Sequence, residues 1–276
     1  MRYNKLIGTD IKISHISLGG ASFSNIYGTF DEAQGVGLIK TSLDHGINYV
    51  ETGPWYGQGT SELTIGKVHD ATFAPDISVV LKETLPALER AVRDGKARYI
   101  GLADYDIDLM QEIVEESEVK ISTILSYAKS TLFDNRLQNY TKYFKDKGIG
   151  IINAATTGMG LLSSKGPQIW HPASDDIKAI CRKASEYCKS KDVELARIAT
   201  WFSLNQPDID TNICGFYNVE QLLDTLDVLD KGLTDVEKNV LQEIQVRFFD
   251  KVTLHWDDVE LPAYKAEMEK LQKTPE

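Results

Sequence analysis

The chain has 276 residues, 42% hydrophobic and 26% charged, the balance of a globular protein with one sizeable α/β domain or two small ones. With 41 acidic against 30 basic residues the formal net charge is −11, which argues against nucleic acid or an anionic membrane as partner. Three cysteines (Cys181, Cys188, Cys214) fit a reducing compartment, and no apolar run reaches membrane-spanning length, so a cytosolic location is expected.

A turn near Gly8-Thr9-Asp10 suits a short β-hairpin, after which strand-like runs alternate with helical patterns. Ile16–Gly20 reads as a strand. Asp31–His45 reads as a helix with Val36, Ile39 and Leu43 on one face, stopped at Gly46. Ile47–Thr52 is the next strand. Leu85–Asp94 is helical, with Pro86 in its first turn and Gly95 as a stop. Arg98–Ala103 is a strand, Asp108–Glu116 a helix, and Ile121–Tyr127 a strand. Asn135–Lys147 is a helix ending at Gly148, and Ile149–Ala154 a strand. Across Ser174–Lys189 the residues Ile177, Ile180, Cys181, Ala184, Tyr187 and Cys188 keep the helical period. Thr211–Gly215 reads as a last strand and Val219–Leu229 as its helix. Thr234-Asp-Val-Glu237 is a capping box that opens another helix, with Val236, Val240, Leu241 and Ile244 on the buried side.

This alternation implies a parallel sheet with helices outside, yet a closed (β/α)8 barrel needs eight strands and six are clear. Between Thr52 and Arg98 such a barrel must place helix 2, strand 3, helix 3, strand 4 and helix 4. Thr60–Lys67 reads as the first of these and Leu85–Asp94 as the last, which leaves the sixteen residues Val68–Glu83 for the rest. A strand–helix–strand unit takes about 30 residues. The expectation is a single domain over residues 1–276, an incomplete barrel broken near 67–68. Its exposed edge would be patched by Val68–Asp70 or by the β-branched run Ile77–Leu81.

The run Asn48-Tyr-Val-Glu-Thr-Gly-Pro-Trp-Tyr-Gly-Gln-Gly-Thr-Ser-Glu62 resembles the segment around the acid tyrosine of aldo-keto reductases. Tyrosine, with a pKa near 10, is a poor acid–base group unless a neighbouring cation favours its phenolate. In that family a strand-end lysine supplies the cation, an aspartate partners the lysine, and a histidine orients the substrate carbonyl. The resemblance implies Tyr56 as the acid, Glu51 in the aspartate's place, and His69 of Val68-His-Asp70 as the histidine. The lysine has no counterpart, since its strand falls in the missing piece. Lys67 is near in sequence but follows Ile65-Gly66 at the end of a helical segment. The histidines show no metal-like grouping, and no metal site is expected.

On the cofactor side, the stretch from Gly148 to Ser174 resembles the strand 7 loop of the L-galactose dehydrogenase-like branch. There the resemblance implies a dinucleotide pyrophosphate lying over Gly158, Met159, Gly160, Leu161 and Leu162. Ala103 and Asp104 stand where a Ser-Asn pair often holds the carboxamide. Gly215, Phe216 and Gln221 lie in what resembles the adenosine-binding strand 8 turn; an ordinary capped helix start is the other reading. From Gly215 to Thr225 there is no Lys or Arg, while Glu220 and Asp224 are acidic, which favours NAD(H) within an NAD(P)(H) expectation. The implied activity interconverts a small aldehyde, ketone or sugar carbonyl and its alcohol, impaired by the missing lysine. The alternative is a non-catalytic nucleotide-binding or regulatory form.

Overall fold

The computed structural model describes residues 1–24, 31–53, 56, 57, 61, 77–250, 252 and 255–257. The chain opens with an antiparallel hairpin, β1 (Tyr3–Lys5) and β2 (Lys12–Ser14). Six parallel strands follow: β3 (Ile16–Gly19), β4 (Val50–Glu51), β5 (Gly101–Asp104), β6 (Thr123–Tyr127), β7 (Gly150–Ala154) and β8 (Thr211–Cys214). They pair in the order β4-β3-β8-β7-β6-β5. Pairing of the first parallel strand with the last, Ile16 beside Asn212, is how a (β/α)8 barrel closes its wall. The two ends of this row, β4 and β5, are where strands 3 and 4 of a full barrel would stand. The fold is an incomplete barrel wall, as the residue spacing requires.

Each strand alternates its side chains between two faces. Ile124 and Ile151 pack outward against Ile107, Met110 and Phe144 of the helical layer. Leu125, Ile152, Ala154 and Ile213 point inward, where Leu6 and Ile13 of the hairpin fill the floor. The hairpin turn needs Gly8: its φ is 79°, and an added Cβ would lie 2.5 Å from the Ser122 carbonyl oxygen.

The helices are α1 (Glu32–Asp44), α2 (Leu85–Arg93), α3 (Ile107–Glu116), α4 (Thr141–Asp146), α5 (Asp175–Ser190), α6 (Leu195–Leu204), α7 (Val219–Lys231) and α8 (Asp235–Ile244). The capping box at Thr234 and Glu237 forms as expected, each side chain bonding the other's backbone N–H. Arg197 of α6 ties three acids together: Asp224 and Asp227 of α7 and Glu237 of α8, at 2.7, 2.9 and 2.8 Å.

Several expectations need correction. On α1, Val36 and Leu43 are 51% and 54% exposed, and the buried face is Gly35, Leu38 and Ser42. Ser42 can be buried because its hydroxyl donates to the Leu38 carbonyl one turn back, at 2.8 Å. Val236 is exposed, since it sits in the first turn of α8, ahead of the packed residues Val240, Leu241 and Ile244. The strand expected over Ile47–Thr52 shrinks to two residues, consistent with a strand that among the described residues pairs on one side only. Asn135–Lys147 divides into a 3-10 turn, Arg136–Asn139, and α4. Ile77–Leu81 is not a strand. It begins a helical lead-in, Ile77–Val79 followed by the π-helical Val80–Thr84, which puts Ile77, Val80 and Leu81 against Leu85, Ile100 and Ile113. Packing overrides the β-branched character of that run. Val68–Asp70 and most of Thr60–Lys67 lie outside the described residues.

Candidate active site

Glu51 ends β4 in register with Gly19, whose own Cβ position would meet Ile213 at 3.0 Å, so the carboxylate belongs to the inner face of the wall. One turn later the chain folds back: the Tyr56 N–H donates to the Gly53 carbonyl at 2.9 Å, and the Ser61 N–H to the Tyr56 carbonyl at 3.1 Å. Buried Ser61 anchors the turn to the neighbouring strand end, donating to the Gly20 carbonyl at 2.8 Å while Thr52 lies 2.9 Å from its hydroxyl. With the backbone so held, the Tyr56 hydroxyl donates to Glu51 Oε1 at 2.8 Å. Burial raises the Glu51 carboxyl above the ordinary range, partly offset by bonds from Tyr56 and the Gly20 backbone. Burial likewise raises the Tyr49 phenol, and the Glu51 charge adds to it. Glu51 forms no ion pair with a described cation. His69 and Lys67 lie outside the described residues.

The β7 loop turns through left-handed backbone at Ala155, Gly158, Met159 and Gly160, with φ of 60°, 58°, 52° and 91°. Its amides are used internally: Gly158 bonds Ala155, Leu161 bonds Gly158 and Leu162 bonds Thr157, at 2.8, 3.1 and 3.0 Å. Leu161 and Leu162 are buried in the core. Gly158 is covered from the other side, where an added Cβ would stand 3.4 Å from the Trp256 ring. His171 packs edge-on against Trp256 and lies 3.2 Å from the Gly158 carbonyl. Burial lowers its pKa to about 4, against the opposing bond to Gly158, so near neutrality the ring is uncharged. Its Nε2–H then donates to Gly158, and Nδ1 accepts from the Ala173 N–H at 3.1 Å.

The β8 turn is more open. Nothing lies within 4 Å of the Cβ position at Gly215, while Phe216 is buried. Asn218 caps α7 by accepting from the Gln221 N–H, and the Gln221 side chain accepts from the Tyr217 N–H, both at 2.9 Å. The Gly158 position of the β7 loop, by contrast, is covered by the Trp256 ring. On β5, Ala103 is exposed and carries no polar side-chain atom. Asp104 Oδ1 accepts from the Asp106 N–H at 2.9 Å, a local turn.

One cluster escaped the sequence reading. Lys129, just past β6, is 3% exposed and lies 3.3 Å from Asp134 and 2.7 Å from Asp257. Arg136 reaches Asp134 at 2.8 Å and both oxygens of Asp257 at 2.9 and 3.0 Å. His255 Nδ1 stands 3.1 Å from Asp134. Burial acts to raise the Asp134 carboxyl, but His255, Arg136 and Lys129 outweigh it and hold the group well below the usual carboxylate range. The visible signal was Lys129 at the C-terminal end of a barrel strand, where barrel chemistry sits.

Comparison with known proteins supplies the frame. The Aldo/keto reductase family matches residues 15–74 and 69–246, two stretches that meet near the inferred break. The chain is 26% identical to L-galactose dehydrogenase of Arabidopsis thaliana over 267 aligned positions, covering 78% of this chain and 83% of that one. As 78% of 276 residues is about 215, about 50 aligned positions have no residue here. It is 24% identical to D-arabinose 1-dehydrogenase of Saccharomyces cerevisiae, covering 70% of this chain and 76% of the other. In structure it is similar to the glycerol dehydrogenase AKR11B4 from Gluconobacter oxydans, with a TM-score of 0.65 at 18% identity, covering 91% of this chain and 97% of that one.

Proposed function

Because the chain belongs to the aldo/keto reductase family, we propose that it carries that family's carbonyl–alcohol chemistry on a site disabled by its incomplete barrel. The relatives named for L-galactose and D-arabinose favour a sugar carbonyl as the substrate class. The carrying observation is the Tyr56–Glu51 pair at the inner end of β4. Bound NAD(H) would supply or accept hydride. Tyr56 would pass the proton to the developing alkoxide, His69 would orient the carbonyl, and Glu51 would hold the phenol in place. The bond to Glu51 exists only while Tyr56 keeps its proton, so in this arrangement the carboxylate competes with substrate for that proton. A lysine between the two would reverse the bias, and the family lysine has no counterpart in this sequence because its strand falls in the missing piece. Gly215, Phe216 and Gln221 are the dinucleotide contacts best supported by shape, with the backbone of Gly158–Leu162 and the Ala103-Asp104 pair as the remaining candidates.

Absence of Lys or Arg from Gly215 to Thr225, together with an Arg197 already held by Asp224, Asp227 and Glu237, supports NAD(H) over NADP(H). The break near Val68 supports origin as a shortened form of a longer gene product, and the three free cysteines support a reducing compartment such as the cytosol. Loss of an acid–base group costs about 10²–10⁴ in rate, and misplacement of the hydride donor adds to it.

The test is an assay of this chain, and of a form carrying about 60 more residues (two barrel units) after Lys67, with NADH and NADPH on small aldehydes and aldoses. Turnover only by the longer form is expected. Turnover by the 276-residue chain that Tyr56→Phe abolishes overturns the claim of a disabled site. Fluorescence titration with both reduced cofactors decides the other reading, a nucleotide-binding form without turnover. The packed Trp256–Gly158 contact on the β7 loop favours weak binding in that case.

A further inference from the structure

The cluster at the end of β6 has the composition of an anion site with an acid from its own chain already in it. Lys129 and Arg136 are two cations, and Asp134 is their local partner, only five residues from Lys129. The second partner, Asp257, arrives from far along the chain. Arg136 donates to both its oxygens and Lys129 stands 2.7 Å from one of them. A planar guanidinium and an ammonium converging on one oxyanion is the arrangement by which proteins hold phosphate as well as carboxylate.

We propose that Lys129 and Arg136 form a phosphate-binding site at the C-terminal end of β6, with the Asp257 carboxylate as a built-in occupant that a phosphate group displaces. Asp257 without replacement would leave the buried Lys129 ammonium and the partly exposed Arg136 facing Asp134 alone, and an under-paired buried charge is strongly unfavourable. Departure of Asp257 is therefore coupled to arrival of another anion. Asp134 faces the same space, with His255 Nδ1 3.1 Å away, and the site already tolerates a second carboxylate beside it. Access exists from one side, since the Arg136 side chain is 38% exposed while Lys129 is sealed.

Displacement has a consequence for the adjoining loop. Trp256 precedes Asp257 directly and is the ring seated against Gly158 and His171, and His255 packs edge-on against Phe133. A phosphate group that takes Asp257's place loosens all three residues together. The site stands on its own charges and does not depend on proton transfer by Tyr56.

The experiment uses the full chain, with inorganic phosphate and ribose 5-phosphate as probes and calorimetry as readout. Asp257→Asn keeps the shape and removes the competing charge, and should bind phosphate at least about ten-fold more tightly than the wild type, the worth of one charge-assisted hydrogen bond. Adding Lys129→Met to that variant should remove the gain. Tighter binding of the sugar phosphate assigns the site to a phosphorylated metabolite, and equal binding assigns it to free phosphate. In the wild type, phosphate should raise hydrogen exchange at residues 255–257 and leave α5 unchanged. Folded Asp257→Asn with no gain in phosphate affinity overturns the proposal. Should that variant not fold, unchanged exchange at 255–257 in phosphate-saturated wild type overturns it equally.

Discussion

The Tyr56 hydroxyl and the Glu51 carboxylate are five residues apart and joined by a 2.8 Å hydrogen bond, so one tight turn both presents the phenol and occupies its proton. The described backbone bonds of that turn, from Tyr56 back to Gly53 and from Ser61 to Tyr56, hold the pair in place. The arrangement is preorganised, but for holding a proton and not for giving it up.

Glu51→Gln tests this balance. Burial raises the Glu51 carboxyl, so the folded state prefers it protonated and that preference is fully present below the ordinary value of about 4.3. As pH rises through the folded value the stabilisation is lost. Glutamine can still accept from Tyr56 and carries no charge. Melting curves should show the variant more stable than wild type at pH 7, with the difference closing below pH ~4. A constant difference across that range rules out Glu51 titration as its source.

His171 gives the opposite slope. Its pKa falls to about 4 on burial, so the unfolded chain takes up a proton first, near pH ~6.5. Stability contributed by the neutral ring is present above that value and is lost as pH falls toward about 4. His171→Gln should flatten stability between those limits in denaturant titrations. A wild-type slope retained in the variant assigns the loss to other groups.

Gly8→Ala addresses the floor of the barrel. At φ 79° a side chain is strained, and its Cβ would press to 2.5 and 2.7 Å on the carbonyl oxygens of Ser122 and Gly148. Both contacts are backbone and cannot swing aside, so a loss of about 2–4 kcal/mol is expected in chemical denaturation. The same change at Gly95, also left-handed but with open space, should cost less, about 1 kcal/mol.

Lys129→Met breaks the buried cluster from its centre. Two carboxylates would then be left with Arg136 and the neighbouring His255, and a cost of about 3–5 kcal/mol is expected. Restoring part of it by adding Asp257→Asn, measured as a double-mutant cycle, would show that the two charges act on each other. Strict additivity would place the cost in packing.

What the sequence made legible was local. The stop at Gly46, the capping box at Thr234 and the alternation from Arg98 to Ala154 all follow from neighbours within a turn or two. The incomplete wall was also legible, because the length of Val68–Glu83 is a counting argument. Helix α6 could have been found, since Leu195, Ile198, Ala199 and Ser203 keep a helical spacing behind the Glu194 cap. The outward turn of Val36 and Leu43 was not readable, as it depends on Ser42 satisfying itself within the helix. Lys129 itself was visible at the end of a barrel strand, but its partners were beyond reach for a different reason. Asp257 lies 128 residues beyond Lys129 (257 − 129), and nothing near it in sequence announces a partner just past β6.

Pairing of β3 with β8 sets an order of events for the growing chain. In a complete barrel the first two strands can extend the sheet to the third as soon as it emerges. Here, among the described residues, β4 has no neighbour but β3, and β3 no further neighbour but β8, whose Thr211 is made nearly two hundred residues later. The β5–β6–β7 block can assemble by itself in the meantime, each strand beside its successor. The segment carrying Glu51 and Tyr56 must wait on the ribosome as an unsupported hairpin and helix, slow to dock because its contacts are so distant in sequence. The expected outcome is that protease sensitivity of nascent chains stopped before β8 is concentrated in the N-terminal fifth, the part left without a sheet partner until β8 emerges.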